Sequence, residues 1–140
     1  MNKSVSQKLG VKQDMRTFFV NAPDRFAEEI ELPKVELKSK LSGEFDYIHL
    51  FAVTQKEFHD KFSKLKSHLK PRGFIWVSWP KSGQKETDLN IKKVIEIGYN
   101  YGLVESKSIS VNSIWSALKF THPIEGKEYK NSYGKLNNNH

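Results

Sequence analysis

The 140-residue chain has no cysteine. That absence removes disulfides, thiolate zinc sites, iron–sulfur clusters and cysteine nucleophiles together. It fits a reducing compartment, and the expected location is the cytoplasm. No apolar run approaches the ~18 residues that would cross a bilayer, so no membrane partner is expected. The first residues, "MNKSVSQKLGVKQDM", lack the apolar core of a secretory signal. The eight glycines are dispersed, and none of them forms a P-loop. His59 and His68 fall on one predicted helix at a spacing that makes no metal set, so no metal is expected. Ser78 has no glycine elbow around it, and Glu28 and Glu29 are sequence neighbours that point to different sides of a helix. No catalytic residue is therefore named. Acid is the scarcer charge: 16 Asp and Glu against 23 Lys and Arg give +7 and a pI near 9.5. Such a balance inclines a protein toward polyanions. The lysines run from Lys3 to Lys135 and mostly mix with acids, which also describes a solvated surface.

What is present is an alternation of strand and helix patterns. "SVSQKL" before Gly10 reads as a short helix. "RTFFV" (16–20) reads as a buried strand, and "PDRFAEEIE" (23–31) as a short helix with Pro23 in its first turn and acids at its positive end. "KVELK" (34–38) alternates like an edge strand, and "SGE" (42–44) is a turn. "FDYIHLFAV" (45–53) is almost continuously apolar, as a strand covered on both faces must be. Thr54 and Glu57 form a capping box ahead of Phe58, Phe62, Leu65 and Leu69 at helical spacing, with "KPRG" as the stop. "FIWVSW" (74–79) is another strand. Thr87 and Asp88 are candidate N-caps for an amphipathic helix that reaches about residue 101, before Gly102. "LVESKSISV" and "IWSALKF" flank Asn112-Ser113 as a tight hairpin. Residues 1–122 then form one α/β domain, a mainly parallel sheet with helices on both faces and a C-terminal antiparallel hairpin. Residues 123–140 are expected to be a polar, disordered tail.

This order resembles the class I methyltransferase fold, which also ends in a helix followed by an antiparallel strand pair. "KLGVKQDMRTFFVNAP", "FDYIHLF", "LKPRGFIWVSWPK" and "GLVESKSISVNSIWSALKF" further resemble a bacterial family of small proteins of unknown function. The likeness covers about residues 5–121, and "WVSWPK" is its most specific piece. It implies a Rossmann-like fold and no activity. In methyltransferases a glycine-rich corner after the first strand lets backbone approach S-adenosylmethionine, and an acid ending the second strand holds the ribose hydroxyls, as in dinucleotide-binding folds. Here the corner is "NAPDRF", and the second strand runs into Lys38, Ser39 and Lys40 with Glu36 inside it. One strand–helix unit is missing between residues 32 and 44. No cofactor is expected, with S-adenosylmethionine as the disfavoured alternative.

In open α/β sheets, ligands sit outside the carboxyl ends of the strands. Asn21, Asp24, Thr54, Ser78, Trp79 and Lys81 fall there and are the candidate ligand-binding residues. Each has a plainer role. Asn21 and Asp24 can cap a helix, Lys81 can be an exposed loop lysine, and Trp76, Trp79 and Trp115 can be core. His49, in mid-strand, reads as a hydrogen-bonded core histidine rather than a base. The expected function is non-catalytic binding of a small, partly anionic ligand by a degenerate methyltransferase-like protein, and an enzyme of undescribed activity is the alternative. A third reading is nucleic-acid binding. "RGFIWVSW" (72–79) partly imitates an RNA-recognition signature, and Phe74 and Trp76 would share a strand face.

Overall fold

The computed structural model describes residues 3–129 and residue 136. Its centre is the pairing of β3 (Phe45–Phe51) with β4 (Leu69–Pro80). The two strands run parallel, with Tyr47 opposite Phe74 and Phe51 opposite Ser78. On one side of this pair lie β1 (Arg16–Val20) and then β2 (Glu36–Lys38), both parallel to their neighbours. On the other side, β6 (Trp115–Thr121) and then β5 (Val104–Ser110) are antiparallel. The six-stranded order is β2-β1-β3-β4-β6-β5. The expected architecture is thus present, with the parallel strands central and the hairpin closing one edge. The short β2 forms the other edge, and the chain passes from it to β3 without a helix.

Helices cover both faces. Phe58, Phe62 and Leu65 of α3 (Gln55–Ser67) and Val94, Ile95 and Ile97 of α4 (Ile91–Asn100) pack on Ile48, Leu50, Ile75, Val77, Leu118 and Phe120. On the opposite face, Leu9 of α1 (Val5–Leu9) and Phe26 of α2 (Phe26–Glu29) pack on Tyr47, Phe51, Trp76 and Trp115. The Trp76 indole N–H donates to the Leu9 carbonyl at 2.8 Å, which ties α1 to the sheet. Trp76, Trp79 and Trp115 are all buried.

Several element ends differ from expectation. α3 stops at Ser67 because Leu69 already belongs to β4 and pairs with Phe45. "KPRG" is a bulge within β4 rather than a helix stop: β3 advances from Phe45 to Tyr47 while β4 advances from Leu69 to Phe74. Pro71, with no N–H to place in a ladder, stands exposed there. A Cβ on Gly73 would lie 2.8 Å from the Phe45 carbonyl oxygen, so only glycine lets the backbones approach. α2 is a single turn whose N-cap residue, Arg25, sits at φ 63 with no side-chain cap bond. The cap of α4 is Asn90, which accepts from the Lys93 N–H. The hairpin is wider than a two-residue turn: Asn112 Oδ1 accepts from the Ile114 and Trp115 N–H groups, both at 2.9 Å. In the tail, Tyr129 and Leu136 lie half-buried against the core, and the remainder beyond Tyr129 is outside the described residues.

Three buried polar groups of β3 and β4 form one chain. His49 Nδ1 meets the Tyr47 hydroxyl and Nε2 meets the Ser78 hydroxyl, both at 2.7 Å. Phe26 and Phe51 enclose the ring. As expected, His49 is a hydrogen-bonded core histidine, and burial pushes it down to about 3. In the unfolded chain it titrates near ~6.5. The unfolded state therefore binds the extra proton first, and stability falls as pH drops from about 6.5 toward 3. At ~1.4 kcal/mol per unit, wild type should lose about 2 kcal/mol between pH 7 and 5 through this group. Urea midpoints for wild type and His49→Gln at both values test this, and an equal slope in the two proteins would refute it.

Gly98 gives a second test. Glycine inside a helix usually weakens it by about 0.5–1 kcal/mol relative to alanine. Here a Cβ would stand 2.0 Å from Phe120 Cε1, between α4 and β6. Gly98→Ala should therefore destabilise by about 1–3 kcal/mol, as an overpacked core does, rather than stabilise. Chemical denaturation reads the sign directly.

Candidate functional site

The carboxyl ends of the parallel strands offer two places for a ligand. The first is the switch point between β1 and β3, where the chain leaves in opposite directions. The sequence placed Asn21, Asp24 and Thr54 around it. Asn21 is exposed at φ 58, and Asp24 is exposed beside it. Neither caps α2, whose cap residue is Arg25. The Thr54 hydroxyl accepts from the Glu57 N–H at 3.1 Å, and the Glu57 carboxylate accepts from the Thr54 N–H in return, so the expected capping box is formed and occupies this side chain. Behind the corner, Phe26 is 3% exposed, and its ring stands 4.8 Å from that of Phe51. The space next to the strand ends is filled by aromatic side chains. At the end of β2 stands Lys38, ion-paired to Glu36 at 2.9 Å.

Ser78 belongs to neither place. It is fully buried on the α1/α2 face and bonded to His49, so the structure corrects its assignment as a ligand-facing residue. Alternation along β4 sends the next side chain, Trp79, to the α4 face.

The second place lies beyond the end of β4, between the N-terminal end of α4 and the hairpin. It is a cleft of about 810 Å³ lined by Trp79, Lys81, Ser82, Thr87, Asn90, Ile91, Ser108, Ser110 and Ser116, among others. Trp79 is opposite Ser116, which is opposite Ser110, so a tryptophan and two hydroxyls form a continuous floor across three strands. Ser108 follows on the same face. Lys81 is anchored by its N–H to the Ile114 carbonyl at 2.8 Å, and its ammonium donates to Ser110 Oγ. Asn90 and the start of α4 bring the positive end of a ten-residue helix to the rim. Thr87 and Asp88 hold this wall in place rather than capping α4: Thr87 Oγ1 donates to the Val53 carbonyl, and Asp88 accepts from the Gln55 N–H at 2.8 Å. The connecting segment is strained. Ser82, Lys85 and Glu86 all have positive φ, at 37, 56 and 57°, a conformation that costs about 1–3 kcal/mol per non-glycine residue.

Of the six sequence candidates, Trp79 and Lys81 line this cleft, and Asn21, Asp24, Thr54 and Ser78 do not. The sequence reading passed over Ser108, Ser110 and Ser116. Their signal was serine at alternate strand positions where a covered face calls for valine or isoleucine. Among the described residues, no group of acids and histidines is arranged to hold a metal ion, and no helix is long and apolar enough to cross a membrane.

No protein-family model and no curated protein sequence matches the chain. Solved structures do. A ribosomal protein L11 methylase from Lactobacillus delbrueckii subsp. bulgaricus is 12% identical, over 82% of this chain and 73% of that one, with a TM-score of 0.53. A TehB-like SAM-dependent methyltransferase from Corynebacterium glutamicum is 9% identical, over 84% and 85%, with a TM-score of 0.52. A magnesium protoporphyrin IX methyltransferase from Synechocystis with bound SAH is 10% identical, over 85% and 78%, with a TM-score of 0.51. At such identities the shared property is the fold: strand order, covered faces and terminal hairpin are those of a class I methyltransferase-like, Rossmann-type domain.

Proposed function

We propose that this protein binds a small anionic ligand in the cleft beyond β4, on a methyltransferase-type fold that does not itself transfer methyl groups. The observation that carries the reading is Lys81, whose ammonium is set among serine hydroxyls in a cleft of about 810 Å³. Pockets of roughly 300–1,000 Å³ suit small-molecule ligands. A carboxylate or phosphate entering it would take a charge-assisted bond from Lys81, in place of the neutral Ser110 acceptor. Ser108, Ser116 and Asn90 would serve its remaining polar atoms, and Trp79 and the half-exposed Ile91 its apolar part. The compartment proposed for this activity is the cytoplasm.

A second reading, S-adenosylmethionine-dependent transfer, is favoured by the likeness to methyltransferases, one of them with bound SAH. The residues at the β1 corner do not fit that cofactor. Side chains stand where backbone would have to approach it, Phe26 fills the space behind, and a lysine ends β2 where an acid would hold the ribose. The nucleic-acid reading through Phe74 and Trp76 has little support, since both rings are buried under α1 and β4 is parallel to β3.

A thermal-shift screen of carboxylates, phosphate esters, nucleotides and S-adenosylmethionine tests these readings together. A ligand at 100 times its Kd should add about 2.7 kcal/mol. Lys81→Ala should weaken an anion found this way by about 1–3 kcal/mol while changing stability by no more than ~0.5 kcal/mol. Trp79→Ala should instead lose about 3–5 kcal/mol of stability. If Lys81→Ala leaves the affinity of every such anion unchanged, the cleft reading fails. Calorimetry with S-adenosylmethionine should show no micromolar binding, and a micromolar Kd would support the transferase reading instead.

A further inference from the structure

The face of the sheet opposite the cleft, under α1, holds a second cationic feature. Lys107 on β5 stands directly opposite Lys119 on β6. Like charges in that relation destabilise a sheet, because the side chains start only about 5 Å apart. Lys119 is held in place: its Nζ lies 4.6 Å from the centroid of the Phe74 ring and 3.8 Å from where a side chain on Gly10 would begin. Lys107 Nζ donates to the Lys8 carbonyl at 3.1 Å, at the C-terminal end of α1, and Lys8 itself lies in that last turn. Burial and the neighbouring Lys107 hold the Lys119 ammonium below its usual range. Among the described residues, no carboxylate is ion-paired to Lys8, Lys107 or Lys119. Solubility alone does not require this arrangement. Lys56 on α3, for comparison, faces Asp60 at 2.8 Å in the open.

The carbonyl at the end of α1 accounts for the direction in which Lys107 points, but a neutral acceptor leaves the positive charges of Lys107 and Lys119 side by side. We propose that Lys107 and Lys119, below the last turn of α1, form a binding site for a phosphate-class oxyanion, separate from the cleft. A multiply charged oxyanion would replace cross-strand repulsion with charge-assisted bonds. Gly10, at φ 80 with no side chain, leaves the approach to Lys119 open. The Phe74 ring fixes the stem, so the ammonium is positioned before the anion arrives.

The site predicts effects of opposite sign. Lys119→Met keeps the stem on Phe74 and removes the charge, so it should raise the melting temperature in plain buffer. The same substitution, alone or with Lys107→Gln, should weaken binding of tripolyphosphate at least tenfold by calorimetry. Lys61→Gln on α3 should leave that binding unchanged, and the loss caused by Lys119→Met should persist in a Lys81→Ala background, so failure here is distinguishable from failure of the cleft reading. A short single-stranded oligonucleotide supplies the second arm. If it binds through the same lysines at least tenfold more tightly than tripolyphosphate, the source is a nucleic-acid backbone; if not, it is a small phosphate compound. If neither probe binds more tightly than sodium chloride of equal ionic strength accounts for, or if Lys61→Gln weakens binding as much as Lys119→Met, the proposal is overturned.

Discussion

Burial of β3 and β4 on both faces is the constraint on which the rest of the molecule depends. From Tyr47 to Ala52, and from Gly73 to Pro80, every side chain must be apolar or find a polar partner inside. Unpaired polar groups there would each cost about 1–3 kcal/mol, and those along this pair of strands are joined in one chain through Tyr47, His49 and Ser78. The same constraint decides what can reach a ligand. Side chains within the strands are committed to packing, and only those at and beyond Trp79 emerge where a small molecule could meet them.

The sheet's carboxyl edge is therefore divided. At the β1–β3 switch point, aromatic rings from α2 and β3 fill the room next to the strand ends. A one-turn α2 brings Phe26 against Phe51, where a longer helix starting from a glycine turn would leave backbone N–H groups facing outward. On the other side, α4 begins far enough from the hairpin to leave the β6 and β5 surface uncovered at its end. Serines occupy that surface, which suits contact with water or a polar guest better than contact with a helix.

The sequence revealed the layers clearly and the corners poorly. Two-sided burial writes itself as an unbroken apolar run, so β3 and the inner part of β4 were readable, as was α3 from its capping box and spacing. The β4 extension was not, because Pro71 and Gly73 spell a turn locally and work as a bulge only with Phe45 and Asp46 alongside. Thr87 and Asp88 are good cap residues by type, but both are engaged with the start of α3, and that contact has no local signature. Ser78 shows the same limit. Its position at a strand's carboxyl end was correct, yet the face it takes depends on strand phase, and one residue separates the His49 network from the cleft. Trp79 and Lys81 could be placed at the carboxyl edge, where they line the cleft, because they stand at the end of a strand whose limit was plain.

One junction also bears on how this chain can vary. Only His68 separates the last residue of α3 from the first of β4, and its carbonyl accepts the Phe45 N–H at 2.7 Å. A single inserted residue there would shift β4 out of phase with β3 and exchange its two faces. The segment at 82–86 is exposed and joined to the body mainly at its ends, so length can change there without touching the sheet. Insertions and deletions among descendants of this chain should thus gather beside the cleft and be purged at the α3–β4 junction, which leaves the cleft rim as the part of the molecule freest to diversify.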